Sequence, residues 1–302
     1  MTSAPSVAFN PLTYFFTEDG FHPELAPPLA EIYRQIREAG FDAVHVEPPQ
    51  DMPIEDYLEL LSDSGLTPAP GYFQAAFADA DGLPTVLEQA RRVAGQHAQL
   101  GLRRIFIAEL MGGSATRLAT PGVGADPNPD RLARITENLG TVAAAMTAEG
   151  VQPCLHQHIG TLIETPEETD AVLAGTDPGA LLFGPDTGHL SWAGADPATF
   201  IAKHLDRVGA VHLKDVRQAR VEAARNAGSD YFTATSRHLW TEPGRGDVDF
   251  AAVLGVLSRF EGWYVVEVDV ADQPTPADTA KVSAQWIKEH LGPAAGSGPD
   301  PS

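Results

Sequence analysis

The sequence predicts a (β/α)₈ barrel, and three observations carry that prediction. Short apolar, β-branched runs alternate with longer amphipathic segments eight times along the chain, the pattern of successive βα units around a parallel sheet. The 302 residues suit one such barrel, which typically takes about 250 residues or more. No G-x-G-x-x-G follows the first apolar run, so the competing doubly wound sheet lacks its dinucleotide fingerprint.

Taken in order, strands are expected at residues 7–10, 43–47, 66–69, 104–109, 152–156, 180–185, 210–214 and 264–268. Helices are expected after each of them, at about 25–39, 54–64, 83–100, 128–149, 166–174, 196–204, 249–260 and 275–290. Gly40, Gly65, Gly101 and Gly150 each follow a helical run, where a helix C-terminus favours a left-handed residue. Thr165-Pro166-Glu167-Glu168 and Asp196-Pro197 place a capping side chain before a proline at the first helical position. The long interval at 217–242 should hold an extra segment over the active face, carrying Trp240 and Glu242 toward its mouth. Residues 1–291 then form one barrel domain, and 292–302, GPAAGSGPDPS, a flexible tail.

Lys and Arg total 20 against 41 for Asp and Glu, a net charge of −21. That field repels a nucleic-acid backbone, so no nucleic-acid partner is expected. Cys154 is the sole cysteine, which excludes an intrachain disulfide and a cysteine zinc site. The opening MTSAPSVAFNPLTYFF lacks the basic and apolar regions of a signal peptide, and no run is long enough to span a membrane. A cytoplasmic protein without a membrane partner is expected; a homo-oligomer or a partner subunit is left open.

Barrel chemistry sits at the C-terminal ends of the strands, and there the second half of this chain is rich in polar groups. Strand five ends in His156-Gln157-His158, strand six in Asp186-Thr187-Gly188-His189, strand seven in His212-Leu213-Lys214-Asp215 and strand eight in Glu267-Val268-Asp269. Imidazoles and carboxylates converging from separate strands are the donors a divalent cation accepts. Each residue also has an ordinary reading. Asp186 could cap the next turn. His212 alternates with Val211 and Leu213, so it points into the barrel if they face the helices; a satisfied core histidine is its alternative. Glu267 lies in an apolar run, where an unpartnered carboxylate is costly and a cation is the cheapest partner. Lys214 could reach substrate or pair with Asp215. His45, Glu47 and Glu109 at earlier strand ends read more readily as structural, and His22, His97, His204, His238 and His290 read as solvated.

The strand-five H-x-H-x-G-T with its Glu-Thr (His156 to Thr165), D-T-G-H (Asp186 to His189), H-L-K-D (His212 to Asp215), G-R-G-D-V-D-F (Gly244 to Phe250) and G-W-Y-V-V-E-V-D (Gly262 to Asp269) resemble the sugar phosphate isomerase/epimerase family. These are the xylose-isomerase-like TIM barrels, and the likeness is to their inosose-dehydratase-like branch. The resemblance implies a divalent cation, Mn²⁺ first and Mg²⁺, Co²⁺ or Zn²⁺ otherwise, held by Asp186, His212 and Glu267. The family's fourth ligand is a strand-five Glu; counting back from Glu164 puts His158 there, whereas the end of the apolar run puts His156 there. We expect His158 on the metal and His156 as acid or base. The resemblance further implies substrate contacts from His189 and Glu164; Lys214 and Trp240 are also expected to contact substrate, and Glu267, His189 and Lys214 to take part in catalysis.

A cation on the carbonyl and neighbouring hydroxyl of a polyol would stabilise an enediolate. The expected activity is therefore a metal-dependent isomerase or epimerase acting on a ketose, keto-inositol or keto-glycoside. The alternative is an inosose-dehydratase-like lyase working by β-elimination, including C–O or C–C cleavage of a keto-glycoside. A histidine where epimerases carry a second carboxylate favours elimination. A non-enzymatic binding protein is the remaining class.

Overall fold

The computed structural model describes residues 5–292. Residues 1–4, and the expected tail beyond Gly292, lie outside the described residues. The barrel strands are β1 Ser6–Phe9, β2 Ala43–His45, β3 Thr67–Ala69 resuming as Tyr72–Ala75, β4 Arg104–Glu109, β5 Gln152–Leu155, β6 Leu182–Phe183, β7 Ala210–Leu213 and β8 Trp263–Val266. All pair in parallel: β8 lies between β7 and β1, β1 is followed by β2 and β3, and the resumed half of β3 by β4, β5 and β6. Parallel bridges Phe183↔Val208 and Asp186↔His212 close the ring between β6 and β7.

The third strand differs from expectation by continuing past its break. Pro70 offers no N–H, and Gly71 passes so close to β2 that a Cβ there would stand 2.2 Å from the Val46 carbonyl oxygen. The Gly71 amide leaves the ladder for His97 Nε2 (3.2 Å) while its carbonyl accepts from Phe106 (2.9 Å). His97 is thus a buried core residue, with Nδ1 donating to the Val93 carbonyl; the expectation that it is solvated is corrected. Burial lowers its pKa to about 4.

Strand alternation sorts the core into two layers. Ala8, Ala43, Ala69, Phe106, Cys154, Ala210, Trp263 and Val265 fill the barrel interior. Val7, Phe9, Val44, Ile105, Ile107, Leu155, Val211, Leu213, Tyr264 and Val266 belong to the larger cluster that includes the helices. Side chains in register with the first set therefore project inward at the strand ends, among them His45, His156, His212 and Glu267.

The helices lie where the sequence places them, at Leu29–Ala39, Ile54–Asp63, Leu83–Gln99, Pro129–Ala148, Pro166–Gly175, Pro197–Lys203, Phe250–Val256 and Pro276–His290. The first starts later than expected, because a proline disfavours the helical conformation of the residue before it: Ala26, which precedes Pro27, is extended (φ −69°, ψ 148°). Thr165 and Glu168 form a reciprocal capping box, and Asp196 caps the helix behind Pro197. The interval after β7 holds Gln218–Ala227, Tyr231–Thr235 and a two-residue ribbon in which Trp240–Thr241 pairs with Asp215–Val216. Among the described residues no helix is long and apolar enough to cross a membrane.

Candidate functional site

The C-terminal end of the barrel opens into a cavity of about 350 Å³ lined by His45, Glu47, His156, His158, Glu267 and Asp269 at its polar end. Asp186 and His212 sit beneath it, brought side by side by their bridge. His212 Nδ1 lies 3.7 Å from Asp186 Oδ2 and 3.3 Å from Glu267 Oε2, without hydrogen-bond geometry to either. Donor atoms of His156, Asp186 and His212 lie within 4.8 Å of one another, as do those of Asp186, His189 and Glu267, and those of His156, His158 and His189.

Asp186 takes the capping role with one oxygen and leaves the other unengaged. Oδ1 caps the helix Thr187–Trp192 by accepting from the His189 amide at 2.8 Å, while buried Oδ2 has no hydrogen-bond partner. Both ring nitrogens of His212 and Nδ1 of His156 are likewise buried without one. A polar atom so placed costs about 1–3 kcal/mol, and three such residues, each offering one atom within 4.8 Å of the others', have the imidazole and carboxylate chemistry a divalent cation satisfies. The residues fit a metal.

His158 is held differently. Its Nδ1 donates to the Ile159 carbonyl at 2.7 Å, leaving a lone pair on Nε2. Burial, reinforced by the Lys214 charge, lowers its pKa to about 4, so the ring is neutral at pH 7. His156 alone of the pair groups with Asp186 and His212. His156, expected as acid or base, thus stands with Asp186 and His212, whereas His158, expected on the metal, groups with His156 and His189. The His189 ring lies 3.9 Å from the His158 ring, tilted by 43°, and its Nδ1 accepts from the Ile159 amide. Fully enclosed, it is among the floor residues rather than the lining.

Lys214 does not pair with Asp215. Its ammonium donates to Glu267 Oε1 (2.8 Å) and Asp269 Oδ1 (2.5 Å) and lies over the Trp240 ring, 4.3 Å from its centroid. Burial would raise Glu267, but the charges of Lys214, His212 and His156 hold it well below the usual carboxylate range. Burial prevails at Asp269, pushing it up to about 6 against Lys214. Asp215 instead accepts from the amides of Gly244, Gly246, Val248 and Val216, fastening the loop that follows. Lys214 is therefore a buried counter-ion whose bonds are committed, and substrate contact is not open to it in this arrangement.

Three further expectations are corrected. Trp240 packs 5.0 Å from the His189 ring beneath the cavity and does not line it. Glu242 is buried against Thr241 and 3.9 Å from Arg245, away from the lining. Glu164 is enclosed, accepting from Arg117 and from the amides of Gly122, Gly124 and Gly160; a carboxylate so fully engaged has nothing left for substrate. Residues that sequence reasoning missed include Asn10, whose amide donates to Glu267 Oε2 at 2.5 Å, and Asp269 as the partner of Lys214. Their signal was present: Asn10 ends β1, and Asp269 stands two residues after Glu267 on the same face.

Glu109 turns away from the cavity. Oε2 accepts from the Phe77 amide at 3.1 Å, Oε1 has no partner, and burial pushes the carboxyl up to about 8 from 4.5 despite the opposing amides of Phe77 and Ala78. The native state then holds one proton more than the unfolded chain between those values, so stability falls as pH rises through them. Glu109→Gln should remove that loss: between pH 6 and 8.5, urea unfolding should show the wild type losing about 2–3 kcal/mol more than the variant. Equal pH dependence in the two would refute it.

A family model described as xylose isomerase-like TIM barrel matches residues 33–290. An inosose dehydratase of Lactiplantibacillus plantarum is 34% identical over 169 residues, covering 55% of each chain, so this match spans about half of that relative. An inosose dehydratase of Geobacillus kaustophilus is 31% identical over 248 residues, 76% of this chain and 78% of the relative. The solved structure of a xylose isomerase-like TIM barrel protein from Mycobacterium smegmatis in complex with magnesium superposes with a TM-score of 0.70 at 20% identity, covering 97% of this chain and 98% of that one.

Proposed function

The chain belongs to the xylose isomerase-like TIM barrel family, and on that footing we propose that it is a divalent-metal-dependent enzyme removing the proton beside the ketone of a polyhydroxylated substrate, with β-elimination as the outcome. The observation that carries the reading is the buried cluster of His156, Asp186 and His212, which holds unpartnered Asp186 Oδ2, His156 Nδ1 and His212 nitrogens, with Glu267 Oε2 3.3 Å from His212 Nδ1. Kinship with inosose dehydratases favours elimination over isomerisation. We assign His156, Asp186, His212 and Glu267 as the residues that would hold the cation, with Mn²⁺ or Mg²⁺ the first choice.

When bound, a divalent cation supplies a Lewis acid for the ketone oxygen. The protein's own groups do the rest. Neutral His158 presents Nε2 to take the proton from the carbon next to the ketone, its ring fixed by the Ile159 carbonyl. The freed electron pair forms the new C=C bond as the oxygen on the following carbon departs with both electrons of its bond. Asp269, raised to about 6, lines the cavity and gives that oxygen its proton, so water or an alcohol leaves and an enone remains. Lys214 holds Glu267 and Asp269 in place, and Asn10 fixes the second oxygen of Glu267. Isomerisation would return the proton to carbon from a base on the opposite face.

The test is a keto-inositol with protein and Mn²⁺ in D₂O. Enone absorbance supports elimination; deuterium in recovered ketone with no enone would replace elimination by isomerisation; the absence of both signals would end the proposal. In the same assay His156→Ala should lose most bound metal, whereas His158→Ala should keep it and lose about 10²–10⁴-fold in turnover. Metal and activity retained in both variants would remove strand five from the chemistry.

A further inference from the structure

The outer half of the cavity is built unlike its floor. From His158 an aromatic wall runs outward, the Tyr231 ring 5.6 Å away and the Phe232 ring 5.5 Å beyond it, with Phe232 48% exposed at the lip. Phe16 and Phe21 also line the cavity, 5.2 Å apart as the cross-strand pair away from the turn of the Phe16–Thr17 and Gly20–Phe21 ribbon, with Phe21 55% exposed. No lysine or arginine is among the described residues lining the cavity, while Glu47, Glu267 and Asp269 are, and Lys214 beneath is committed to two of those carboxylates.

A bare polyol would fill the polar floor and leave its hydroxyls facing rings that cannot hydrogen-bond them, and a phosphate would meet carboxylates with no free cation. We infer that the cavity takes an uncharged glycoside whose sugar sits over the polar floor and whose apolar, aromatic aglycone lies between Phe232 and the Phe16–Phe21 pair. This rests on the reading that a polyol ketone reacts at the floor. The lip contributes binding and selectivity, through the face and edge contacts that aromatic rings make with one another. Exposed rings confined to the entrance of a polar cavity are apolar surface without a folding role, which marks a site of contact.

Binding of non-reacting probes separates this from the chemistry. With the Mn²⁺-loaded full chain, calorimetric titration should show phenyl β-D-glucoside binding about tenfold or more tightly than methyl β-D-glucoside. The double variant Phe21→Ala, Phe232→Ala should bring the two within about twofold, and glucose 6-phosphate should bind no better than the methyl glucoside. An advantage under about twofold in the wild type, its persistence in the double variant, or tighter binding of the phosphate would each overturn the inference. So would light scattering in which the double variant falls from dimer to monomer with its preference for the phenyl glucoside intact, since the lip would then belong to a second copy of the chain. Keto-inositol turnover, measured separately, decides the proposed function: turnover without phenyl preference defeats only the aglycone site, and phenyl preference without turnover defeats only the chemistry.

Discussion

Asp186→Asn should abolish stoichiometric metal binding and lower turnover by about 10³-fold while leaving the fold almost untouched. The asymmetry follows from the two oxygens. Oδ1 caps the helix Thr187–Trp192 and Oδ2 faces His212 at 3.7 Å. Asparagine caps a helix as well as aspartate does, so an Asn that keeps its carbonyl oxygen on the His189 amide preserves the cap and puts an uncharged NH₂, which cannot ligate, where Oδ2 stood. His212→Ala should reach the same metal content by removing the imidazole that lies between Asp186 and Glu267. Lewis-acid catalysis is worth several kcal/mol, and about 4 kcal/mol corresponds to 10³ in rate. Elemental analysis of the purified variants, beside thermal unfolding, checks it. Full metal occupancy in both variants would place the site elsewhere; loss of metal together with collapse of the fold in Asp186→Asn would make the residue a cap and no more.

What the sequence revealed of this site is what strand geometry transmits. A strand turns successive side chains to opposite faces, so Val211 and Leu213 packed against the helices force His212 inward, and the same parity orients Glu267 between Val266 and Val268. Both residues stand where that argument puts them. Local chemistry was equally readable: caps at Thr165 and Asp196 depend on neighbours three residues away. The misreadings share one cause, partners distant along the chain. Glu164 meets Arg117 from 47 residues away, His97 meets Gly71 from 26, and Lys214 meets Asp269 from 55. No periodicity encodes such contacts, which exist only once loops from separate βα units are packed together. Strand three shows the same limit, because Pro70-Gly71 reads as a turn until the closeness of Val46 shows that the backbone passes straight through.

Glu164 offers the sharpest separation between structural and substrate-contact roles. One buried carboxylate gathers the amides of Gly122, Gly124 and Gly160 and the Arg117 guanidinium, tying the loop after β4 to the loop after β5. The second loop also carries His158, whose amide donates to the Ile163 carbonyl at 3.1 Å and whose carbonyl accepts from Thr161. Removing the carboxylate leaves three amides without their acceptor and strips Arg117 of one of its two carboxylates, Glu168 remaining. Breaking a buried ion pair from one side costs about 3–5 kcal/mol, and in a domain of this size each kcal/mol moves Tm by roughly 2–4 °C. Glu164→Ala should therefore lower Tm by about 10 °C. Glu164→Gln should recover little, because its NH₂ group would face N–H donors. If Glu164 instead contacted substrate, the Ala variant would melt near the wild-type temperature and show its defect as a raised KM. Thermal unfolding of the metal-free protein, where no ligand contributes to stability, decides between them.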